Sequence, residues 1–263
     1  MKNNYDILVI DDSRVVIDSV VKVGESQGYR VDSAQTANSA LSRLNSQSYK
    51  MIICDVMMPE MDGFQFLREI RRIGIDTPVI MTTGLSTLQN AVKSLLSGAI
   101  GFLPKPFTMG ELMSRIRRGF KYAELLGRMK AGEVKDSDVF RRCSENYRRL
   151  GHASWMKVEE TGIVNVGVVD LFLKTIDAIS RIELLDDNDR VYQGNPCARF
   201  ETESHLVHNL LSPISGKIIA RNDKLMEDIN LLVQDPYNEG WLYKVIPSNL
   251  DSERDLLKPG IGI

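Results

Sequence analysis

The stretch from Met51 to Phe66, MIICDVMMPEMDGFQF, decides how the first half of the chain folds. Met51, Ile52, Ile53 and Cys54 form a short apolar run, as expected of a strand buried on both faces of a parallel sheet. The run stops at Asp55, and Pro59 and the Asp62-Gly63 pair then break the chain. Phe64, Leu67 and Ile70 follow at helical spacing, so a helix opens at Gly63. Asp55 is therefore a lone carboxylate at the C-terminal end of a buried strand, where α/β sheets place their chemistry. An isolated aspartate there is more often a loop cap, so its meaning depends on its neighbours.

Outward from this stretch the pattern repeats. Tyr5 to Ile10 reads as strand one, ending in Asp11-Asp12, and Val15, Val16, Ile17, Val20 and Val21 give helix one, closed by Gly28. Tyr29 to Asp32 is expected as strand two, and Ala37, Ala40, Leu41 and Leu44 as helix two. Strand three is Met51 to Asp55, helix three Gly63 to Gly74 and strand four Pro78 to Thr82, with helix four around Leu88, Ala91, Val92 and Leu95. Strand five is Gly101 to Leu103, and Thr108 with Glu111 forms a capping box for helix five. Strict alternation predicts an α/β doubly wound parallel sheet with helices on both faces.

If strands one and three are neighbours, Asp11, Asp12 and Asp55 converge at one edge. Three unpaired carboxylates repel, and Mg²⁺ with its oxygen ligands relieves that repulsion. Thr83 after strand four offers a hydroxyl, and Lys105 after strand five a point positive charge. Pro106 is a candidate cis-proline that would fix the direction of Lys105.

The phrases VIDDS, CDVMMPEMDG, PVIMTTG and GAIGFLPKPF resemble, in order, the response-regulator receiver domain. The resemblance implies a five-stranded sheet of order 2-1-3-4-5, with Asp55 phosphorylated by a sensor histidine kinase. It implies Mg²⁺ held by Asp12, Asp55 and the Met57 carbonyl, with Asp11 acting through water, and Lys105 on the phosphoryl group. Thr83 and Phe102 would be the switch pair. Such a domain catalyses its own phosphoryl transfer and hydrolysis, and no dedicated enzyme is expected. Gly84 stands where the family more often has alanine, which leaves room beside the site.

Leu112, Ile116, Phe120, Ala123 and Leu126 mark one face of helix five, read as packing on its own sheet in preference to a dimerising coil. Homodimerisation through helix four, strand five and helix five stays open. Gly127 and Gly132 are expected to weaken the helix beyond that face. Arg141, Arg142, Arg148 and Arg149 form a basic patch, read as a solvated helical face in preference to an RNA or DNA contact. The expected domains are the receiver at 1–126, a helical linker at 127–151, a second domain at 152–258 and a tail at 259–263.

From His152 the pattern changes to short strands: Gly162 to Val169, Ile179 to Leu185, Val191 to Gln193, Pro196 to Glu201, Asn209 to Leu211 and Trp241 to Ile246. Short helices are expected at Asp170 to Asp177 and Asn249 to Leu257. This predicts a β-rich flattened barrel or sandwich. The phrases VNVGVVDLFLKTIDAISRIELL, GNPCARFETESH, LLSPISGKIIARND and VQDPYNEGWLYKV resemble the glycine cleavage system H protein, a biotinyl-lipoyl fold. That family displays a lipoate-carrying lysine on a hairpin. The corresponding position here is His205, and no lysine lies between Lys174 and Lys217. An imidazole does not form the stable amide, so no lipoate is expected. His205 and His208 read as plain surface residues.

Charge is uneven along the chain. Residues 1–130 carry 17 basic and 13 acidic groups, whereas residues 151–263 carry 11 and 18. The acidic second half argues against a nucleic-acid partner. The odd, widely spaced Cys54, Cys143 and Cys197 suggest neither disulfides nor a metal pair, and no segment is long enough to span a membrane. These features point to a cytoplasmic protein. The leading function is a two-component response regulator whose second domain is a non-lipoylated binding or output module with an unknown protein partner. The alternative is a regulator or decoy docking protein for lipoate-dependent metabolism.

Overall fold

A computed structural model describes residues 4–135 and 146–260. The first half is a five-stranded parallel sheet of order β2-β1-β3-β4-β5. Its strands are β1 (Asn4–Ile10), β2 (Val31–Ala34), β3 (Ser48–Asp55), β4 (Val79–Thr83) and β5 (Gly101–Pro104). The helices are α1 (Arg14–Ser26), α2 (Ala37–Ser46), α3 (Gly63–Arg72), α4 (Leu88–Leu96) and α5 (Met109–Lys130). Residues 51–55 are buried throughout, because the helices cover both sheet faces. One apolar cluster gathers Ile7, Val9, Ile53 and Ile116, and the other Leu8, Ile52, Phe66 and Leu67.

Three details depart from the sequence reading. β2 starts two residues later than expected, because the Tyr29 ring stacks on Phe120 of α5 at 4.7 Å and pairing with β1 begins only at Val31. Thr83 lies inside β4, as its last residue. α5 also runs straight through Gly127 and ends only at Ala131, followed by Gly132 in a left-handed conformation at φ 72°. A single exposed glycine costs a helix about 1 kcal/mol, too little to stop a long one.

The second half is β-rich. Its larger sheet has seven strands, ordered β10-β13-β14-β8-β7-β6-β15. In chain order these are β6 (Tyr147–Leu150), β7 (Ser154–Val158), β8 (Val164–Val168), β10 (Arg190–Val191), β13 (Gly216–Arg221), β14 (Trp241–Pro247) and β15 (Lys258–Pro259). A three-stranded sheet of order β12-β11-β9 completes it, from β9 (Ile179–Leu184), β11 (Pro196–Thr202) and β12 (Val207–Leu211). The short helix α6 (Asp170–Lys174) follows β8. β6 and β7 precede or adjoin His152, so this domain begins inside the stretch read from sequence as linker. β6, β7 and β13 had no sequence forecast, since their apolar residues are too few to stand out without their partners. The expected terminal helix shrinks to Leu250–Arg254. Arg148 and Arg149, read from sequence as a solvated helical face, lie in β6 with Arg149 buried, because strand pairing with β7 and β15 turns them into the sheet; Arg141, Arg142 and Cys143 lie outside the described residues.

The two halves share their cores. Val92 and Leu95 of α4 belong to the apolar cluster that holds Phe172, Phe200 and Val245. Trp155 and Leu171 join the cluster of α5 residues Leu112 and Ile116. Arg118 of α5 is buried at this seam. Its Nε donates to Thr175 Oγ1 at 3.2 Å, its Nη2 to the His152 carbonyl at 3.4 Å, and its guanidinium lies 4.2 Å from the Phe172 ring centre. Lys121 Nζ pairs with Asp177 at 2.5 Å on the rim. α5 therefore packs on its own sheet with one side and on the second domain with another. The sequence reading of this helix as packed on its own sheet thus describes one of its two packed sides.

Candidate functional site

Parallel topology brings the C-terminal ends of β1, β3 and β4 and the residue after β5 to one edge. There Asp11 and Asp55 are buried and Asp12 is exposed. One oxygen of each of these three carboxylates lies within 4.8 Å of the others. Lys105 Nζ reaches into the group, 2.6 Å from Asp11 Oδ2 and 3.0 Å from Asp55 Oδ1. The Lys105-Pro106 peptide is cis. The second contact is an ion pair, and the buried Asp55 Oδ1 has no hydrogen-bond partner among the described residues. Asp11 Oδ1 accepts from the Ser13 amide at 3.0 Å, which fixes its carboxylate at the entry to α1.

The electrostatics follow from this crowding. Burial pushes the Asp55 carboxyl above its usual range, Lys105 pulls it down, and Asp11 and Asp12 push it up again, leaving it raised. Burial works against the charge on Lys105, but Asp11 and Asp55 outweigh it and its proton affinity rises. Three carboxylates thus face one ammonium. The remaining negative charge and the orphaned Asp55 oxygen fit a divalent cation with hard oxygen ligands. The thiol of Cys54, sealed next to Asp55, is pushed well up by burial and then by the neighbouring carboxylates, which makes it unreactive.

The loop after Asp55 is held by contacts that explain its sequence. The Gly63 amide donates to the Val56 carbonyl at 2.9 Å, and a Cβ on Gly63 would lie 2.2 Å from the Asp55 carbonyl oxygen. Only glycine lets α3 start this close to the site. Asp62 caps α3 with a reciprocal bond to Gln65, and Thr108 with Glu111 does the same for α5. The Asp62 box is a Asp-x-x-Gln pattern that sequence inspection passed over.

The remaining candidates surround this edge. Thr83 is buried and its hydroxyl accepts from the Leu85 amide at 3.1 Å, turned toward the loop before α4. Phe102 is half-buried, and its carbonyl accepts from Arg115 Nε of α5 at 3.3 Å. Gly84 has nothing within 4 Å of a would-be Cβ, so the site stays open there. The side chains of Met57 and Leu85 are exposed on either side.

His205 sits far from this edge in sequence, at the tip of the β11–β12 hairpin, with φ 57° and an exposed ring. The next residue, Leu206, packs with the apolar cluster of the first half, so the hairpin tip leans on α5. His208 is not on the surface. It is buried in β12, its ring 6.4 Å from the Phe172 centre, and burial and nearby Arg115 and Arg118 drop its proton affinity to about 3. Its alternation with Leu210 along the strand was the available signal. Among the described residues, no cluster able to hold a metal includes either histidine.

Comparison with known proteins divides the chain at the same place. Residues 7–117 match the family model described as response regulator receiver domain, and residues 146–260 match the one described as glycine cleavage H-protein. Response regulator MprA of Mycolicibacterium vanbaalenii is 38% identical over 111 residues, which is 42% of this chain and 48% of that protein. Response regulator MprA of Mycobacterium bovis is 35% identical over 135 residues, 51% of this chain and 56% of that protein. The chain thus spans about half the length of the curated relatives it matches. Among solved structures, the receiver domain of Francisella response regulator 1452 is 33% identical, with 45% of this chain and 98% of that chain covered and a TM-score of 0.43. Among the described residues no helix is long and apolar enough to cross a membrane.

Proposed function

This chain joins a response regulator receiver domain to a glycine cleavage H-protein domain, and from that premise we propose a phosphorylation-controlled response regulator of a two-component system, with Asp55 as the residue a sensor histidine kinase phosphorylates. The observation that carries this reading is the convergence of Asp11, Asp12, Asp55 and Lys105 at one sheet edge.

The chemistry follows from the charges. A transferring phosphoryl group is loosely bonded and spreads negative charge over its equatorial oxygens. An Asp55 carboxylate oxygen attacks phosphorus as the bond to the donor breaks, and the donor group leaves with the bonding pair. Lys105 gives up part of its pairing with Asp55 and stabilises a phosphoryl oxygen. Asp12, Asp55 and the Met57 carbonyl would hold Mg²⁺, with Asp11 beyond a water. The ion's part, when bound, is to offset charge on the phosphoryl oxygens. Thr83 and Phe102 are the proposed switch pair. If the Thr83 hydroxyl leaves the Leu85 amide for a phosphoryl oxygen, the loop before α4 loses a tether and Phe102 gains room.

The second domain is the proposed output module, without lipoate. One packing contact ties the switch region to it: Val92 and Leu95 of α4 are part of the second domain's core. Motion of α4 and β5 would therefore loosen the seam and free the second domain's receiver-facing side for a protein partner. A homodimer through α4, β5 and α5 would need the same separation.

The test is to incubate the protein with acetyl phosphate and Mg²⁺ and map the product by mass. One phosphoryl group on Asp55 is expected, absent in Asp55→Asn. Full labelling of Asp55→Asn would refute the assignment. Intact mass after expression in lipoylating cells should show no lipoyl increment on residues 191–217.

A further inference from the structure

A cavity of about 570 Å³ lies at the opposite edge of the receiver sheet, among the loops that lead into the strands. Both domains build it. Arg71, Tyr122 and Lys130 come from the receiver, His152 and Lys258 from the second domain, and Ile100, Leu126 and Met129 supply an apolar wall.

Its polar groups are poised as donors. Arg71 Nη1 donates to the Ile75 carbonyl at 2.5 Å and the Thr77 carbonyl at 3.1 Å, which fixes the guanidinium. Its Nε and Nη2 have no partner among the described residues. Lys258 has no carboxylate within ion-pair distance among the described residues, and partial burial and the nearby Arg149 hold its ammonium below the usual lysine range. The Tyr122 hydroxyl makes no hydrogen bond there, and burial raises its hold on its proton. His152, tilted against the Tyr122 ring at 5.8 Å, leaves its buried Nδ1 unpaired. The one acid in the lining, Asp76, is already paired with Lys130 at 2.9 Å. Two cations, a fixed one and a solvent-accessible one at the rim, thus line a shared space with a hydroxyl and an apolar wall.

We propose that this cavity binds a small organic anion, with its carboxylate or phosphate oxygens on Arg71, Lys258 and the Tyr122 hydroxyl and a compact apolar body against Ile100, Leu126 and Met129. Charge-assisted hydrogen bonds to a planar, pre-fixed guanidinium are the strong kind, and the Lys258 ammonium adds a second positive charge at the rim. Because Arg71 and Lys258 belong to different domains, the anion joins them and stabilises their packed arrangement. The site is separate from Asp55 and does not depend on phosphorylation.

The full chain is titrated calorimetrically with sodium benzoate and with phenyl phosphate, and its melting temperature is followed against sodium chloride at equal ionic strength. Saturable binding and a raised melting temperature are expected for at least one probe. Tighter binding of phenyl phosphate assigns a phosphate ester as the ligand, and tighter benzoate binding assigns a carboxylate. Lys258→Gln should weaken binding about tenfold or more, as loss of a charge-assisted bond requires. Its side chain is at the surface, so the fold survives. Lys50→Gln, remote from the cavity, should bind like the wild type. If neither probe differs from chloride, or Lys258→Gln binds as tightly as the wild type, the proposal is overturned.

Discussion

Gly151 of the second domain is pressed against Leu95 at the end of α4. A Cβ on Gly151 would stand 2.9 Å from the Leu95 carbonyl oxygen, and the residue has φ 57°. A side chain there would meet a backbone atom in a left-handed conformation, which costs an L-residue roughly 1–2 kcal/mol before the clash is counted. Gly151→Ala should lower stability by about 2 kcal/mol and increase hydrogen exchange in α4, leaving Asp55 labelling intact. An unchanged melting temperature and unchanged exchange would mean that the seam tolerates a wider separation.

Asp55→Asn should be more stable than the wild type at neutral pH in the absence of Mg²⁺. The folded carboxyl binds its proton more tightly than the unfolded one, so ionisation above the raised value costs the native state. The gain should be present at neutral pH and fade as acid protonates the wild-type carboxyl. Denaturant titrations of both proteins at pH 7 and pH 3 test this. An equal difference at both values would mean that shape, not charge, separates them.

His152 and His208 predict an acid weakness at the seam. His208 is buried and His152 partly so, and desolvation with nearby arginines holds each at about 3. A histidine depressed in the folded state contributes stability above its unfolded value, about 6.5, and loses it as pH falls toward about 3. Stability should therefore decline through that window, by at most about 1.4 kcal/mol per pH unit for each histidine. His208→Phe should flatten part of the slope, read by denaturant melts across the range. A slope unchanged in His208→Phe would place the acid sensitivity elsewhere.

The phosphorylated form should be long-lived. Met57 and Leu85 flank the approach to Asp55 with exposed apolar side chains, and neither can hydrogen-bond an attacking water into line. Met57→Asn and Leu85→Gln should shorten the lifetime of phospho-Asp55, several-fold each. Withdrawal of Mg²⁺ should lengthen it. Decay followed by Phos-tag electrophoresis decides, and three equal rates would mean that neither position sets the lifetime.

The site and the sheet were legible for one reason: in a parallel sheet, chemistry falls at strand ends, and strand ends are where apolar runs stop. Asp11, Asp55 and Lys105 each close or follow such a run, and the resemblance supplied the strand order that brings them together. The seam was hidden because it has no local mark. Val92 and Leu95 look like any inward helix face, and nothing nearby in sequence says that their partners include Phe172 and Val245. His208 misled because a polar residue beside an exposed hairpin tip is usually wet, whereas strand alternation turns it inward with Leu210. β2 shifted because the stacking of Tyr29 on Phe120 joins residues far apart in sequence.

Arg118 also decides what kind of force can part the domains. It crosses the seam without a carboxylate partner among the described residues, held by a hydroxyl, a carbonyl and an aromatic face. The Lys121–Asp177 pair lies on the partly exposed rim, where ion pairs contribute little. Dissolved salt, which weakens attraction between opposite charges, therefore has almost nothing to act on here. The joint is closer to a fitted plug than to a magnet: it should withstand concentrated brine and yield to a change in the shape of α4.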